Sequence, residues 1–493
     1  WDQWRSTKRI IGGAIWEFKD QGLLKHDSTG KAYYAYGGDY GERYFDNFTI
    51  KGIVASDGRP KPAIYECKHV FQPAVCELVD TGKATIHIKN WHSVASLVDY
   101  EVTLQLREDG NIILKKQIPR ISLAAGHDTI ISIKQYQPNL KRNHEYLADI
   151  HFTLAEDKPW ASKGYEIASD QFQLTKPETS AANAYDKQYP EAKLSEDGKA
   201  YHISGNDFEI GISKDNGALT SYVYKGNQQI FTPLLPHFTR PVTDNDHRGW
   251  KMEKKLAAWF KAVPVLKKIS GQKAVDGSVV VTSVYSMVGD SASVQVNYTI
   301  HGNGLLNVAY ALDAKTGLPN LPKIGMQMGI AQADSNISYY GRGPFENYID
   351  RRTGSEAGIY SQSISQFMEP YVVPQENGNR TDVRWVLLHH KTGGLLITAD
   401  SLLSMSAWPY TEENIQKAKH TNKLKDAGFI TLNIDLVQMG VGGNDSWSEV
   451  AEPLEQYRIP AKKYQYSFYL KPYEGKPEGA GNAAYQIKFN RKP

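Results

Sequence analysis

Residues Ile10–Leu24 read IIGGAIWEFKDQGLL. Ile10, Ile11, Ala14 and Ile15 form an apolar run broken only by Gly12 and Gly13, and it ends on Trp16. A run this short and this rich in isoleucine predicts a strand covered on both faces. Double coverage is a property of parallel sheets, whose strands need neighbours and crossover helices. Only nine residues precede the run, and none is a starting methionine. The expectation is a C-terminal piece of something larger, with the strand's partners upstream.

The next residues extend that reading. Tyr33–Phe48 (YYAYGGDYGERYFDNF) is expected as a glycine- and aromatic-rich loop, and Ile50, Ile53 and Val54 as a short strand or turn. Pro62–Gln72 (PAIYECKHVFQ) has proline at a first helical position and Ile64, Cys67 and Phe71 at helical spacing. Strand, long loop and helix make one unit of an α/β barrel, so residues 1–72 are expected to be the incomplete end of one.

The pattern then changes to a period of two. Ala84, Ile86 and Ile88 alternate with Thr85, His87 and Lys89, and Tyr100, Val102, Leu104 and Leu106 repeat the spacing. Glu108-Asp109-Gly110-Asn111 is a hairpin turn signal. With further strands near 128–134, 146–154 and 164–174, residues 73–175 predict an immunoglobulin-like sandwich. Residues 176–200 are a polar linker. Residues 201–493 are again strand-rich: Phe208, Ile210 and Ile212 pair across Asp215-Asn216-Gly217 with Tyr222 and Tyr224, and Val279–Met287, Val294–Ile300 and Leu305–Ala311 follow. One large two-sheet sandwich is expected, and the chain as a whole is mainly β.

Composition limits the function classes. At 493 residues, 41% hydrophobic and 23% charged, the chain fits a globular protein of two to four domains. A net charge of +3 without a long basic run argues against nucleic acid as a partner. No apolar stretch approaches the length of a membrane span, so no membrane partner is expected. Cys67 and Cys76 are too few for a disulfide framework and read as small hydrophobes. They leave a soluble cytoplasmic or periplasmic location open. Tyr (30) and Trp (10) are numerous; they suit sugar stacking, but composition alone favours β-sandwich cores. His247, His389 and His390 show no metal spacing, and no phosphate loop or GxSxG elbow is present.

Several stretches together resemble one family. IIGGAIWEFKDQGLL with AYGGDYGE (35–42), FTRPVTDNDHRGW (238–250), YYGRGPFENYIDR (339–351), PYVVPQENGNRTDVRW (370–385) and MGVGGNDSW (439–447) resemble the long bacterial β-galactosidases of glycoside hydrolase family 2, in order and spacing. The resemblance implies the end of a TIM (β/α)8 barrel, an immunoglobulin-like sandwich and a galactose-mutarotase-like supersandwich.

A retaining glycosidase needs two carboxyl groups roughly 5–5.5 Å apart. The resemblance places both upstream of Trp1, so no catalytic residue is expected in this chain. Glu17 follows Trp16 but matches no catalytic position, and a structural carboxylate is the preferred reading. What remains is sugar recognition. Barrel sites lie at the C-terminal ends of the strands, and the resemblance makes Trp16 a floor for the galactosyl ring; the other reading is rim packing. Trp447, after a Gly-Gly-Asn-Asp-Ser turn, is implied to stack on the leaving-group sugar; the other reading is an aromatic packed between domains.

At Phe48 the family supplies a backbone carbonyl to sodium, and three residues on an asparagine. Here that position is Lys51. A lysine only donates and cannot ligate sodium. Either Lys51 replaces the ion, or it points to solvent and the site is lost. No cofactor is therefore expected in this chain, the sodium site being altered by Lys51 and the family's magnesium ligands lying upstream. The loop Thr239–Gly249 lacks the acidic spacing of an EF-hand and is implied to be ordered near the site opening. The polar residues of 341–351 and 375–380 are expected to hold loops, with Arg380 and Arg384 candidates for carboxylate pairs.

The expected function is that of the C-terminal portion of a retaining β-galactosidase, inactive alone. Its expected partners are a β-galactoside, the missing barrel portion and a second copy of itself. The alternative is a non-catalytic carbohydrate-binding or accessory subunit of a two-chain glycosidase. A structural sandwich array is a third reading, against which residues 10–54 argue.

Overall fold

The computed structural model describes all residues except 43–45, 177–188, 392 and 490–493. The chain forms two compact units. The first comprises Trp1–Ile15, Pro62–Ala181 and Thr353–Ile359. Two sheets face each other in it. Ala74–Asp80, Thr85–Asn90 and Asp128–Ser132 make one; Asn111–Ile118, Tyr100–Glu108, Tyr146–Leu154 and Glu166–Thr175 make the other, in that order. The period-two alternation turns Ile86, Ile88, Val102, Leu104, Ile150 and Phe152 inward, where all are fully buried. The turn at 108–111 takes positive φ at Asp109 (48°) and Gly110 (84°), which suits the right-handed twist of the hairpin.

Helix Pro62–Val70 begins on its proline, as the sequence predicts. Gln72 just beyond it donates its amide to both Asp170 oxygens at 3.1 Å and accepts from Ser169 N–H at 3.0 Å. Glu66 on the helix accepts from the Gly354 and Thr353 amides at 2.8 and 3.1 Å, and Gln171 exchanges two hydrogen bonds with Ala357. Segment 353–359, distant in sequence, is thus tied to both helix and sandwich. Asp149, His151 and Glu356 converge there. Arg107, 2.5 Å from Asp149 and 3.6 Å from Glu356, already supplies the cation.

The run 10–15 departs from its expectation. It forms no strand, and Ile10, Ile11 and Ile15 are exposed. A strand exists only through hydrogen bonds to neighbours. Among the described residues no strand pairs with this run; the Trp4 ring lies against Gly13, and the isoleucines stay exposed.

The second unit comprises Trp16–Lys61, Ala182–Arg352 and Tyr360–Pro493. A hairpin, Leu23–His26 against Ala32–Ala35, runs into the start of the expected loop Tyr33–Phe48, of which 43–45 lie outside the described residues. Asp27 makes its turn by accepting from Thr29 N–H and Lys31 N–H. Seventeen strands between Lys193 and Tyr473 then form one continuous, folded-over sheet. The first, Lys193–Glu196, falls inside the expected linker and pairs antiparallel with Tyr201–Ser204. Residues 177–188 of that linker lie outside the described residues. The core holds Val281, Tyr298, Val308, Met326, Leu432 and Phe468.

Three neighbouring strands, Ile230–His237, Lys323–Ala331 and Phe429–Gln438, carry a polar face. On it Lys323 donates to Asn433 at 2.7 Å and lies 3.4 Å from Asp435, and Gln327 donates to Asn433 at 2.9 Å. Glu412 sits 3.2 Å from His237 and accepts from the Thr239 hydroxyl at 2.7 Å. Burial opposes charge on Glu412, yet His237, Lys323 and Thr239 outweigh it and hold the carboxyl down to about 2.

Candidate functional site

Trp16–Lys61 brings the first two candidate residues together. Residues 17–20 run parallel to 53–54. Ile53 N–H donates to the Glu17 carbonyl at 3.1 Å, Val54 N–H to the Phe18 carbonyl at 2.8 Å and Asp20 N–H to the Val54 carbonyl at 2.9 Å. A short helical turn, Asp46–Thr49, precedes Lys51. Lys51 Nζ folds back to donate to the Phe48 carbonyl at 2.8 Å. It stands 3.6 Å from the centre of the Phe48 ring, 5.9 Å from that of Trp16 and 4.0 Å from Glu17 Oε1. The Lys51 side chain is 19% exposed. The indole of Trp16, by contrast, is open, 77% exposed.

This donor set does not fit a sodium ion. The ammonium engages the Phe48 carbonyl, and an ammonium offers hydrogens and no lone pair. What it offers is a cation beside two aromatic faces, with hydrogens left for an incoming oxygen.

The loop 239–250 grips the turn that carries Phe48. Asn47 donates to Asp244, and Arg248 pairs with Asp46. Asp244 also accepts from Gln375 Nε2 at 3.4 Å. Burial raises the Asp244 carboxyl above its usual range, against the pull of Asn47 and Gln375. The loop is ordered, as expected: buried Arg240 donates to Asp246 at 2.9 and 3.1 Å, and Asp246 accepts from Thr243 N–H at 3.0 Å.

At its other end the same loop meets the Trp447 loop. A Cβ on Gly249 would stand 2.3 Å from that of Ala451 and 3.2 Å from the Ser448 carbonyl. Trp447 itself is 66% exposed on a turn made by Asp445, which accepts from Trp447 N–H and Ser448 N–H at 3.1 and 3.0 Å. Among the described residues no hydrogen bond or ring contact joins Trp447 to Trp16 or Lys51; the 239–250 loop is what touches both neighbourhoods.

Arg240 escaped the sequence reading, whereas Asp350 lies in the stretch 341–351 expected to hold loops. Arg240 donates to the Met439 and Gly440 carbonyls at 2.7 and 2.9 Å. Asp350 accepts from the Val441 and Gly442 amides at 2.8 Å each. Four successive backbone groups at the root of the Trp447 loop are therefore held by two side chains. The glycines at 440, 442 and 443 were the available signal, since Gly440 and Gly443 have no room for a Cβ. Glu376 is fully buried, and burial pushes its carboxyl up to about 8 against Arg240 and Lys323. Arg380 is a correction: its guanidinium binds the carbonyls of Gly378, Pro344 and Phe367 rather than a carboxylate. His247 and His390 each face one carboxylate, Glu253 at 2.7 Å and Asp334 at 2.6 Å.

Comparison with known proteins follows these segments. Residues 204–470 match the family described as beta galactosidase small chain, residues 86–175 that described as beta-galactosidase, domain 4, and residues 1–75 the glycosyl hydrolases family 2 TIM barrel domain. A β-galactosidase of Priestia megaterium is 31% identical over 479 residues, covering 96% of this chain and 46% of the relative. One of Psychromonas ingrahamii is 28% identical over 501 residues, with 95% and 46% covered. One of Halalkalibacterium halodurans is 31% identical over 448 residues, with 88% and 43% covered. The chain thus spans about half the length of these relatives. With family models matched over residues 1–75, 86–175 and 204–470, the chain belongs to the β-galactosidase family of glycoside hydrolase family 2, as a C-terminal part of such a protein.

Proposed function

We propose that this chain forms one wall of the substrate site of a retaining β-galactosidase. The wall consists of Trp16 beneath the galactosyl ring, Lys51 on a sugar hydroxyl and Trp447 on the leaving-group side. The observation that carries the reading is the Lys51 ammonium, donating to the Phe48 carbonyl beside the open face of Trp16. A ring with hydroxyls on one side and C–H groups on the other is suited to an indole face and a hydrogen donor. Lys51 takes the place of a sodium ion in this reading. The two carboxyl groups that break the glycosidic bond belong to the barrel portion outside this chain, so the chain alone is inactive.

The family matched over 204–470 is that of a small chain, which favours a particular arrangement: a polypeptide that works with a separate barrel-bearing chain. Intact mass and N-terminal sequencing of the native protein distinguish that arrangement from a single longer chain. To test the function, the purified chain is assayed on a chromogenic β-galactoside, alone and with the barrel-bearing portion of a relative. No turnover alone and turnover on mixing is expected; turnover by the chain alone overturns the reading.

A further inference from the structure

The residue after Lys51 is held on both sides by a single ion pair. Gly52 N–H donates to Asp20 Oδ1 at 2.8 Å, and the Gly52 carbonyl accepts from Lys61 Nζ at 2.9 Å. The two side chains meet each other, Lys61 Nζ lying 2.5 Å from Asp20 Oδ2. Their side chains are 10% and 0% exposed. Each is also anchored by its own backbone: Asp20 N–H donates to the Val54 carbonyl and Lys61 N–H to the Ile53 carbonyl. Gly52 leaves no slack, since a Cβ there would stand 2.3 Å from the Asp20 nitrogen.

Two opposite charges are buried at a cost that their mutual attraction does little more than offset. Such pairs are best understood through the conformation they specify. Here the specified conformation is the backbone at 51–52. A lysine side chain is long and flexible, and holding its ammonium on one acceptor is entropically unfavourable. Fixing the backbone at its root removes part of that freedom and keeps the Phe48 carbonyl, three residues back, within hydrogen-bond distance, with Glu17 Oε1 beyond it at 4.0 Å.

We propose that Asp20 and Lys61 are positioning residues for Lys51, locking Gly52 so that the Lys51 ammonium is aimed at the Phe48 carbonyl and at the sugar. The role in sugar binding rests on the galactoside reading above; the lock itself does not.

The test is competitive acetylation of the purified chain with a small amine-reactive ester, read lysine by lysine by mass spectrometry. Lys193, exposed and in no ion pair among the described residues, is the reference. In the unaltered chain Lys51 is expected to react about tenfold more slowly than Lys193, the ratio that one charge-assisted hydrogen bond of ~1.4 kcal/mol produces. Asp20→Asn and Lys61→Met are expected to remove most of that protection, and Lys61→Arg to keep it. Thermal melting is followed in parallel. Protection that persists in both Asp20→Asn and Lys61→Met overturns the proposal, and so does deprotection confined to variants whose melting transition is lost. Because no sugar enters the measurement, failure here and failure of the galactoside reading give separate results.

Discussion

Asn47 donates its side-chain amide to the buried carboxylate of Asp244, nearly two hundred residues further along the chain. The contact joins the turn bearing Phe48 to a loop of the large sheet. The candidate sugar site is therefore held from the C-terminal sandwich as well as from the barrel segment.

Asp244→Ala strands that amide in a part-buried position, a loss of roughly 1–3 kcal/mol. Hydrogen exchange at the Ile50 amide, which donates to the Asn47 carbonyl at 3.0 Å, is expected to speed up by about tenfold or more. Asp244→Asn keeps an acceptor and is expected to show a smaller change.

Lys51→Asn replaces a donor-only cation with a side chain that has a carbonyl oxygen. In an active enzyme containing this chain, the unaltered protein is expected to hydrolyse galactosides equally well in sodium and in sodium-free potassium buffer. The variant is expected to become sodium-dependent. Steady-state rates in the two buffers check both statements.

Asp350→Ala removes the acceptor of the Val441 and Gly442 amides. Those two amides are expected to lose exchange protection, and the emission of Trp447 to shift as its loop loosens, while exchange in the core strand Phe429–Gln438 stays slow. Because the loop root is also held through its carbonyls by Arg240, the loss is local.

Burial pushes the Asp170 carboxyl up to about 7, against the hydrogen bonds from Cys76 N–H and Gln72. In the unfolded chain the group titrates near 4. Between those values the folded state binds the extra proton, so stability falls as pH rises, by at most ~1.4 kcal/mol per pH unit. Urea unfolding from pH 4 to 8 is expected to show this decline. Asp170→Asn, which cannot titrate, is expected to flatten it.

Much of the fold was legible in the sequence because its signals are local. Alternation at Ala84–Lys89 and Tyr100–Leu106 gave the sandwich strands, Asp109-Gly110 gave a hairpin, and Pro62 gave a helix start. Leu23–His26 and Ala32–Ala35 were missed because each is a four-residue strand with little side-chain burial, so no periodicity reports it. The run at 10–15 misled for the opposite reason. Its composition records a preference for burial, and composition alone cannot supply the neighbours that satisfy it.

The site divides in the same way. Sequence alone determined which residue types stand at 16, 48, 51 and 447, and so that a donor-only cation stands at 51. Tertiary structure alone decided where that cation points. Lys51 is directed by Asp20 and Lys61, its turn by Asp244 and Arg248, and the Trp447 loop by Arg240 and Asp350. Hydrogen bonds and ion pairs act over about 3 Å of space, and that distance bears no relation to separation along the chain.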